Sequence, residues 1–406
     1  MNQPAVRVYP TRWVVLLAFM LAVAFNQLLW ITFAPITGNA AAYYGVDDLS
    51  IGLLSMSFMI AYLVVSIPAS WVIDTYGFRV AVGIGAALTG VFGLMRGLVP
   101  ANYGLVLAAQ IGIAIGQPFI LNAVTTVAAR WFPLEERATA SGLGSLAMYL
   151  GILGGMLVTP FVTLRWGIGT MLLVYGVGAV VAAVVFLAVA RERPPTPPGA
   201  PGEEARALMF DGLKQALRKR DFLLLMGIFF IGLGVFNSVT TWVEDIVRPR
   251  GFSITQAGLA GGLMIIGGVI GALTLPALSD RYRRRAPFIV LTLAVAIPGL
   301  IGVTYAGGAA LLYAASFLLG LALLSAGPIG FQYGAETARP TPEGTSNGLL
   351  LLMGQISGIV FIFGMDAMKD AATGSMTTSL LVLIGLMVVG LLAATRLRES
   401  TLLKHG

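Results

Sequence analysis

The sequence predicts an all-α membrane protein: twelve transmembrane helices forming two six-helix bundles. Three observations carry this prediction. They are long apolar runs almost free of charge, a basic excess gathered on one side of those runs, and an internal repeat at one offset. Of 406 residues, 57% are hydrophobic and 11% charged, against about 25% charge in soluble domains. The mean hydropathy is +0.89. Such a chain crosses a bilayer repeatedly rather than burying one large globular core.

The spans follow in order at roughly 13–37, 49–72, 79–99, 103–128, 138–160, 168–190, 221–243, 254–278, 287–306, 309–335, 345–368 and 375–395. Each reaches or exceeds the ~20 residues that cross ~30 Å of hydrocarbon. Arg7 and Arg12 precede the first run and Ala40, Ala41 and Ala42 follow it. The run is nevertheless far longer than the ~7–15 residues of a signal-peptide core. With the N-terminus in the cytoplasm, Arg96, Arg165, Arg248, Arg250 and Lys369 fall outside, and the other 20 of the 25 Lys and Arg fall inside. The positive-inside rule therefore predicts that both termini are cytoplasmic. The net charge of +7 reports topology, and no nucleic-acid partner is expected.

Residues 191–220 interrupt the pattern with RERPPTPPGAPGEEAR and the basic stretch LKQALRKR. This composition predicts a cytoplasmic linker with a short amphipathic helix on the inner leaflet. The expected domains are a bundle over 1–190, the linker over 191–220 and a bundle over 221–406. The bundles align with each other. Gly45 pairs with Gly251, Gly52-Leu53 with Gly258-Leu259, Asp74 with Asp280 and Gly142-Leu143 with Gly348-Leu349, always 206 apart. Parallel six-span repeats are one way to build a transporter, with substrate bound between the halves near mid-membrane. The loops DTYGFR (74–79) and SDRYRRR (279–285) place a carboxylate at a helix end and arginines across a tight turn. These groups can tie helix ends together on the inner side. The pair resembles the signature loop of the major facilitator superfamily. Asp74, Arg79, Asp280 and Arg281 are accordingly expected to gate the inner side. Glu336, three residues before Arg339, is expected to pair with that arginine in the same gate.

Charges elsewhere are few, because each costs several kcal/mol in hydrocarbon. Glu244 and Asp245 precede Arg248 by four and three residues and read as an outer-surface ion pair or a substrate-attracting vestibule. Asp366, three before Lys369, reads as interfacial. Arg96 reads as a headgroup or loop contact. No carboxylate falls clearly at mid-membrane, which weakens proton coupling and favours a uniporter, or a symporter whose coupling site is uncharged. Polar residues do fall there. At 1.5 Å per residue from Trp13, Asn26 lies about 20 Å deep and Trp30 about 25 Å. The two share a helix face bordered by Gln27. Tyr149 and Gln355 lie near mid-membrane, and Asn237 at the depth of Trp30. Trp30, Asn26, Gln27, Tyr149, Asn237 and Gln355 are therefore expected to line a substrate cavity, extended by Gln117 and Asn122 beside Pro118. In the fifth span, SGLGSLAMYLGILGGMLVTP, glycines permit close helix approach and Pro160 can bend the far end.

The inventory excludes other chemistry. There is no cysteine, and the single histidine is His405. No thiolate, imidazole or metal site can form inside the membrane. No phosphate-binding loop, Ser-His-Asp set or catalytic carboxylate pair is present. No enzyme activity, metal or cofactor is expected. The partners are a small-molecule substrate and the bilayer, and the chain is expected to act as a monomer.

One stretch is more specific. GPIGFQYGAETARPTPEGTSNGLLLLMGQISGI (327–359) resembles the tenth and eleventh spans of the feline leukaemia virus subgroup C receptor-related transporters. Arg12-Trp13 with Asn26 and Trp30, GQPFIL (116–121) and ARWF (129–132) fit the same pattern. The resemblance implies a facilitator fold moving small amine metabolites such as choline and ethanolamine, by alternating access. It implies that Trp30 faces a quaternary ammonium with Gln355 nearby. The sequence departs from the family at Asn237, where a second cage aromatic is expected, and at Tyr149, where a glutamine is expected. Haem has been linked to some members, but with no histidine or cysteine in any span only Met or Tyr could ligate iron. A proton-coupled symporter or exporter of another solute, or a receptor that does not transport, are the alternatives. The short loops and absent cysteines suggest a prokaryotic inner membrane.

Overall fold

The computed structural model describes residues 8–196, 214, 216–339, 341 and 343–399. Most of the predicted linker, residues 197–213 and 215, lies outside the described residues, as does His405. Among the described residues every regular element is helical. This follows from the solvent: in hydrocarbon a helix satisfies each backbone N–H and C=O within one segment.

The first span runs Thr11–Ile31, breaks into the 3-10 turn Ala34–Ile36 and resumes as Thr37–Tyr44. Pro35 has no N–H to offer the carbonyl four residues back, so the α-helical ladder cannot run through. The next spans are Asp48–Tyr76, Phe78–Leu98 and Tyr103–Leu121, the last continued by Val124–Trp131. The predicted fifth and sixth spans form one helical run, Leu134–Val189, interrupted only at Gly167 with φ 81°. No Cβ is accommodated easily at that angle, so glycine makes the sharp reversal without a loop. Then come Arg220–Thr241, Ile254–Tyr282, Ala286–Tyr305, Ala309–Ala338, Glu343–Ala367 and Thr377–Ala394. Reading the Gly167 interruption as a boundary gives twelve spans among the described residues, each within a few residues of its predicted position.

The chain groups into two compact units. One contains residues 1–32, 42–46 and 60–206, and the other 33–41, 47–59 and 207–406. The first span thus changes unit between Thr32 and Phe33, at its helix break, and the second between Met59 and Ile60.

Within the first unit, the fifth span packs on the first through glycines. A Cβ on Gly151 would lie 2.2 Å from the Ala24 carbonyl oxygen, and one on Gly155 2.4 Å from Ile31 Cγ2. This is the close helix approach that small residues allow, and van der Waals contact rather than hydrophobic exclusion holds it in lipid. A packed group of Phe19, Phe78, Phe132, Phe186 and Trp131 fills the end nearest Thr11. Within the second unit, the seventh and eleventh spans repeat the device. A Cβ on Gly354 would lie 2.5 Å from Leu233, and one on Gly234 2.7 Å from Phe361. The eighth and tenth spans are closer still, with Gly267 and Gly271 against the carbonyls of Phe317 and Leu321.

Gly151→Ala is expected to cost about 1–3 kcal/mol of stability, because the obstructing atom is backbone. Gly142→Ala, on the same helix with nothing within 4 Å, should be neutral or slightly stabilising. Thermal unfolding of the purified variants in one detergent compares the two.

Candidate functional site

The expected site residues separate by what their polar atoms do. In the first unit Asn26 is completely buried. Its Nδ2 donates to Thr89 Oγ1 at 3.0 Å and to the Ile113 carbonyl at 3.5 Å, and its Oδ1 accepts from Gln27 Nε2 at 3.1 Å. These amides join the first, third and fourth spans. Asn122 caps the fourth span after Pro118. Its Oδ1 accepts from Tyr62 Oη at 2.9 Å, and its Nδ2 donates to Ser66 Oγ and Ser70 Oγ, both at 3.1 Å. Asn26, Gln27 and Asn122 are thus engaged in holding helices together. Gln117 and Tyr149 differ. Their side chains make no hydrogen bond among the described residues, though Gln117 is buried and Tyr149 half-buried. Trp30 is buried at the end of the intact helix, one residue before Ile31.

The second unit shows the same division. Asn237 Nδ2 donates to the Gly354 carbonyl at 3.1 Å, tying the seventh span to the eleventh. Gln355, the next residue along, is half-buried and has no side-chain hydrogen bond among the described residues. An unpaired amide or phenol inside hydrocarbon is costly unless it meets water or a ligand. Of the expected site residues, Gln117, Tyr149 and Gln355 are therefore the polar groups left available among the described residues.

The loop residues are rearranged relative to expectation. Asp74, Arg79, Asp280 and Arg281 are all exposed. The Arg79 backbone N–H donates to Glu192 Oε2 at 2.8 Å, and Glu192 also pairs with Arg130. In the second unit the Arg285 backbone N–H donates to Glu399 Oε1 at 2.8 Å. Arg79 and Arg285 are 206 apart and the glutamates 207 apart. Each unit thus seats a glutamate from beyond its last span on the N-terminus of its third helix, where the helix dipole favours an anion. Arg285 rather than Arg281 pairs with Asp280, and it also reaches Glu336 at 3.5 Å. Glu336 further accepts from Gln332 Nε2 at 3.0 Å, so its partners are Arg285 and Gln332 instead of the expected Arg339. The reason is geometric: Arg285 starts the neighbouring helix and is buried, so its guanidinium lies between both carboxylates. The Arg339 carbonyl meets Lys219 instead. Near the N-terminus, Arg12 binds both oxygens of Glu136, a pair that no sequence spacing suggested.

Two further groups depart from the surface roles expected of them. Glu244 and Asp245 are buried, at 2% and 0% exposure. Glu244 Oε2 accepts from the Gly38 N–H at 2.9 Å and from Arg248 at 3.2 Å. Asp245 binds Arg248 and, at 2.7 Å, Lys369. Asp48 binds the same two cations, at 2.7 Å to Arg248 and 2.6 Å to Lys369. Burial pushes the carboxyls of Glu244 and Asp245 above the usual carboxylate range. Burial also opposes the charge on Lys369, but the carboxylates outweigh it and hold its ammonium above the ordinary value. Arg96 is fully buried, not at a headgroup. It donates to Gln110 Oε1 at 2.6 Å, to the Leu29 carbonyl at 3.2 Å and to Thr32 Oγ1 at 3.4 Å.

Comparison with known proteins places this geometry. Residues 15–362 match the family model of the Major Facilitator Superfamily. Solute carrier family 49 member A3 of Xenopus tropicalis is 31% identical over 373 residues, covering 88% of this chain and 77% of that protein. The choline/ethanolamine transporter flvcr2b of Danio rerio is 28% identical, covering 98% and 86%. Choline/ethanolamine transporter FLVCR2 of Homo sapiens is 25% identical, covering 90% and 73%. Among solved structures, a bacterial homologue of the human lysosomal transporter Spinster superposes with a TM-score of 0.79 at 17% identity, over 96% of this chain and 98% of that one. The nucleoside transporter NupG gives 0.74 at 15% identity, over 96% and 99%. These likenesses show the same fold. Helices that span, prolines and glycines that break and pack them, and a duplicated glutamate-capped loop are therefore those of a multi-pass, non-enzymatic transporter: the chain belongs to the Major Facilitator Superfamily, in its feline leukaemia virus subgroup C receptor-related family.

Proposed function

We propose that the chain is a facilitative transporter of a small cationic amine, choline or ethanolamine in chemistry, working by alternating access. The observation that carries this reading is the sorting of the polar residues. Asn26, Gln27, Asn122 and Asn237 are engaged with protein, while Gln117, Tyr149 and Gln355 keep polar ends without a hydrogen bond among the described residues. Neutral polar groups of this kind suit a ligand whose charge is carried by a quaternary or primary ammonium. Trp30 is the proposed ammonium receptor of the first unit, since a cation over an indole face gains about 2 kcal/mol when desolvated. Tyr149 supplies a second ring on that unit, and Gln355 is the proposed substrate contact of the other. The relatives named choline/ethanolamine transporters support the substrate class.

The exposed loop groups Asp74, Arg79, Asp280 and Arg281, with Glu336 and Arg339, are proposed as inner-side gating residues, now joined by Glu192 and Arg285. Both chain ends are proposed to lie in the cytoplasm, on the basic side. A prokaryotic cell membrane remains our proposed location, on the short loops, although the relatives compared above are animal proteins.

A proton-coupled mechanism is favoured by one observation, the buried carboxylates Glu244 and Asp245. Their raised pKa values mean that they take up protons as pH falls through those values, which loosens their pairs with Arg248 and Lys369. Collapsing the pH gradient across proteoliposomes separates the readings. Unchanged initial uptake is expected for the uniporter, and a large loss would establish coupling.

Trp30→Ala is expected to abolish choline uptake with expression intact, and Trp30→Phe to keep part of it. Unchanged uptake in Trp30→Ala would remove Trp30 from the site. Leucine replacements distinguish the two kinds of polar residue. Asn26→Leu should cost about 1–3 kcal/mol, because Thr89 and Gln27 lose a partner. Gln355→Leu should leave thermal stability nearly unchanged and raise the KM for choline.

A further inference from the structure

The structure assigns a role to Arg96: we propose that its buried guanidinium caps the broken end of the first span and so fixes Trp30 for substrate, a positioning role that rests on the amine-transport reading. Arg96 sits in the last turn of the third span with no exposure at all. A charge so deep is retained only where the protein gives it strong acceptors. Two of its acceptors flank Trp30. The Leu29 carbonyl, one residue before, accepts from Arg96 Nη1 at 3.2 Å, and Thr32 Oγ1, two residues after, accepts from Nη2 at 3.4 Å. Gln110 closes the arrangement. Its Oε1 accepts from Arg96 at 2.6 Å while its Nε2 donates to the same Leu29 carbonyl at 3.2 Å.

The location explains why a cation is needed. The helix ends at Ile31, and Pro35 cannot donate to the turn before it. The last carbonyls of a helix carry the negative end of its dipole, and a buried cation there is favoured. The chain also passes from one compact unit to the other between Thr32 and Phe33. Arg96 therefore grips the last residues of the first span that belong to the N-terminal unit. Trp30 lies between its two gripped neighbours. Its ring orientation depends on a backbone that would otherwise fray at an unfinished helix end.

The test uses the full chain in lipid nanodiscs with 5-fluorotryptophan at all six tryptophans. Loss of one signal in Trp30→Phe identifies the Trp30 resonance. Arg96→Met is expected to shift and broaden that resonance and leave those of Trp13, Trp71, Trp131, Trp166 and Trp242 in place. In proteoliposomes it should raise the KM for choline about tenfold while kcat changes by less than about twofold. Arg96→Lys, a cation able to reach the same carbonyl, should restore most of both. A Trp30 resonance unmoved in Arg96→Met overturns the proposal, as does an equal loss in Arg96→Lys. Where Arg96→Met fails to fold and all resonances collapse, Gln110→Leu decides by the same signal, since it keeps the guanidinium but removes both its Oε1 acceptor and the second donor to Leu29. The resonance needs no substrate. Wild-type protein that ignores choline would overturn the amine reading, while the Trp30 signal alone would still decide the role of Arg96.

Discussion

Hydrocarbon offers no hydrogen bonds, and this constraint organises everything else in the molecule. Backbone groups meet it by forming helices. Side-chain amides and hydroxyls must meet it one by one, by finding a partner on another helix or by facing a wet space. The chain uses both solutions at neighbouring positions. Asn237 bonds the Gly354 carbonyl, while Gln355, the next residue in that strip, does not bond within the described protein. The first is packing chemistry and the second is available for recognition. The distinction is physical rather than compositional, because both residues are carboxamides at similar depth.

The same constraint acts on charge. Glu244, Asp245, Asp48, Arg248 and Lys369 gather where no single pair would be stable, since desolvation of a lone buried ion exceeds what one partner returns. Shared cations solve the problem: Arg248 and Lys369 each serve both Asp48 and Asp245. Asp48 comes from the start of the second span, in a segment that belongs to the second unit although its sequence lies in the first half. A second solution appears at the loops, where Glu192 and Glu399 each seat on a helix N-terminus. The duplicated sequence has kept a duplicated electrostatic contact, shifted by one residue.

Breaks in helices are as informative as helices. Pro35 ends the ladder of the first span, and Pro118 precedes the turn at Asn122 in the fourth. Each break frees backbone groups that need partners. Asn122 recruits Ser66, Ser70 and Tyr62 at one, and Leu29 recruits Arg96 and Gln110 at the other. Polar groups from other spans thus gather at both breaks, and Trp30 stands at one of them.

Sequence alone determined the spans, their number, the six-plus-six duplication and the family. Each depends on local composition or on spacing along the chain, and a bilayer of fixed thickness reads local composition directly. It also singled out Trp30, Tyr149 and Gln355 by depth, and Gln117 by its place beside Pro118. It did not separate them from Asn26 and Asn122, because depth is one-dimensional and a hydrogen-bond partner is not. Arg285 bridging Asp280 and Glu336, Glu192 replacing Asp74 as the anchor of the first loop, and Arg96 buried against Leu29 all join residues far apart in sequence. Only the tertiary structure decided these, since a charge chooses its partner by distance in space, and helix packing sets that distance.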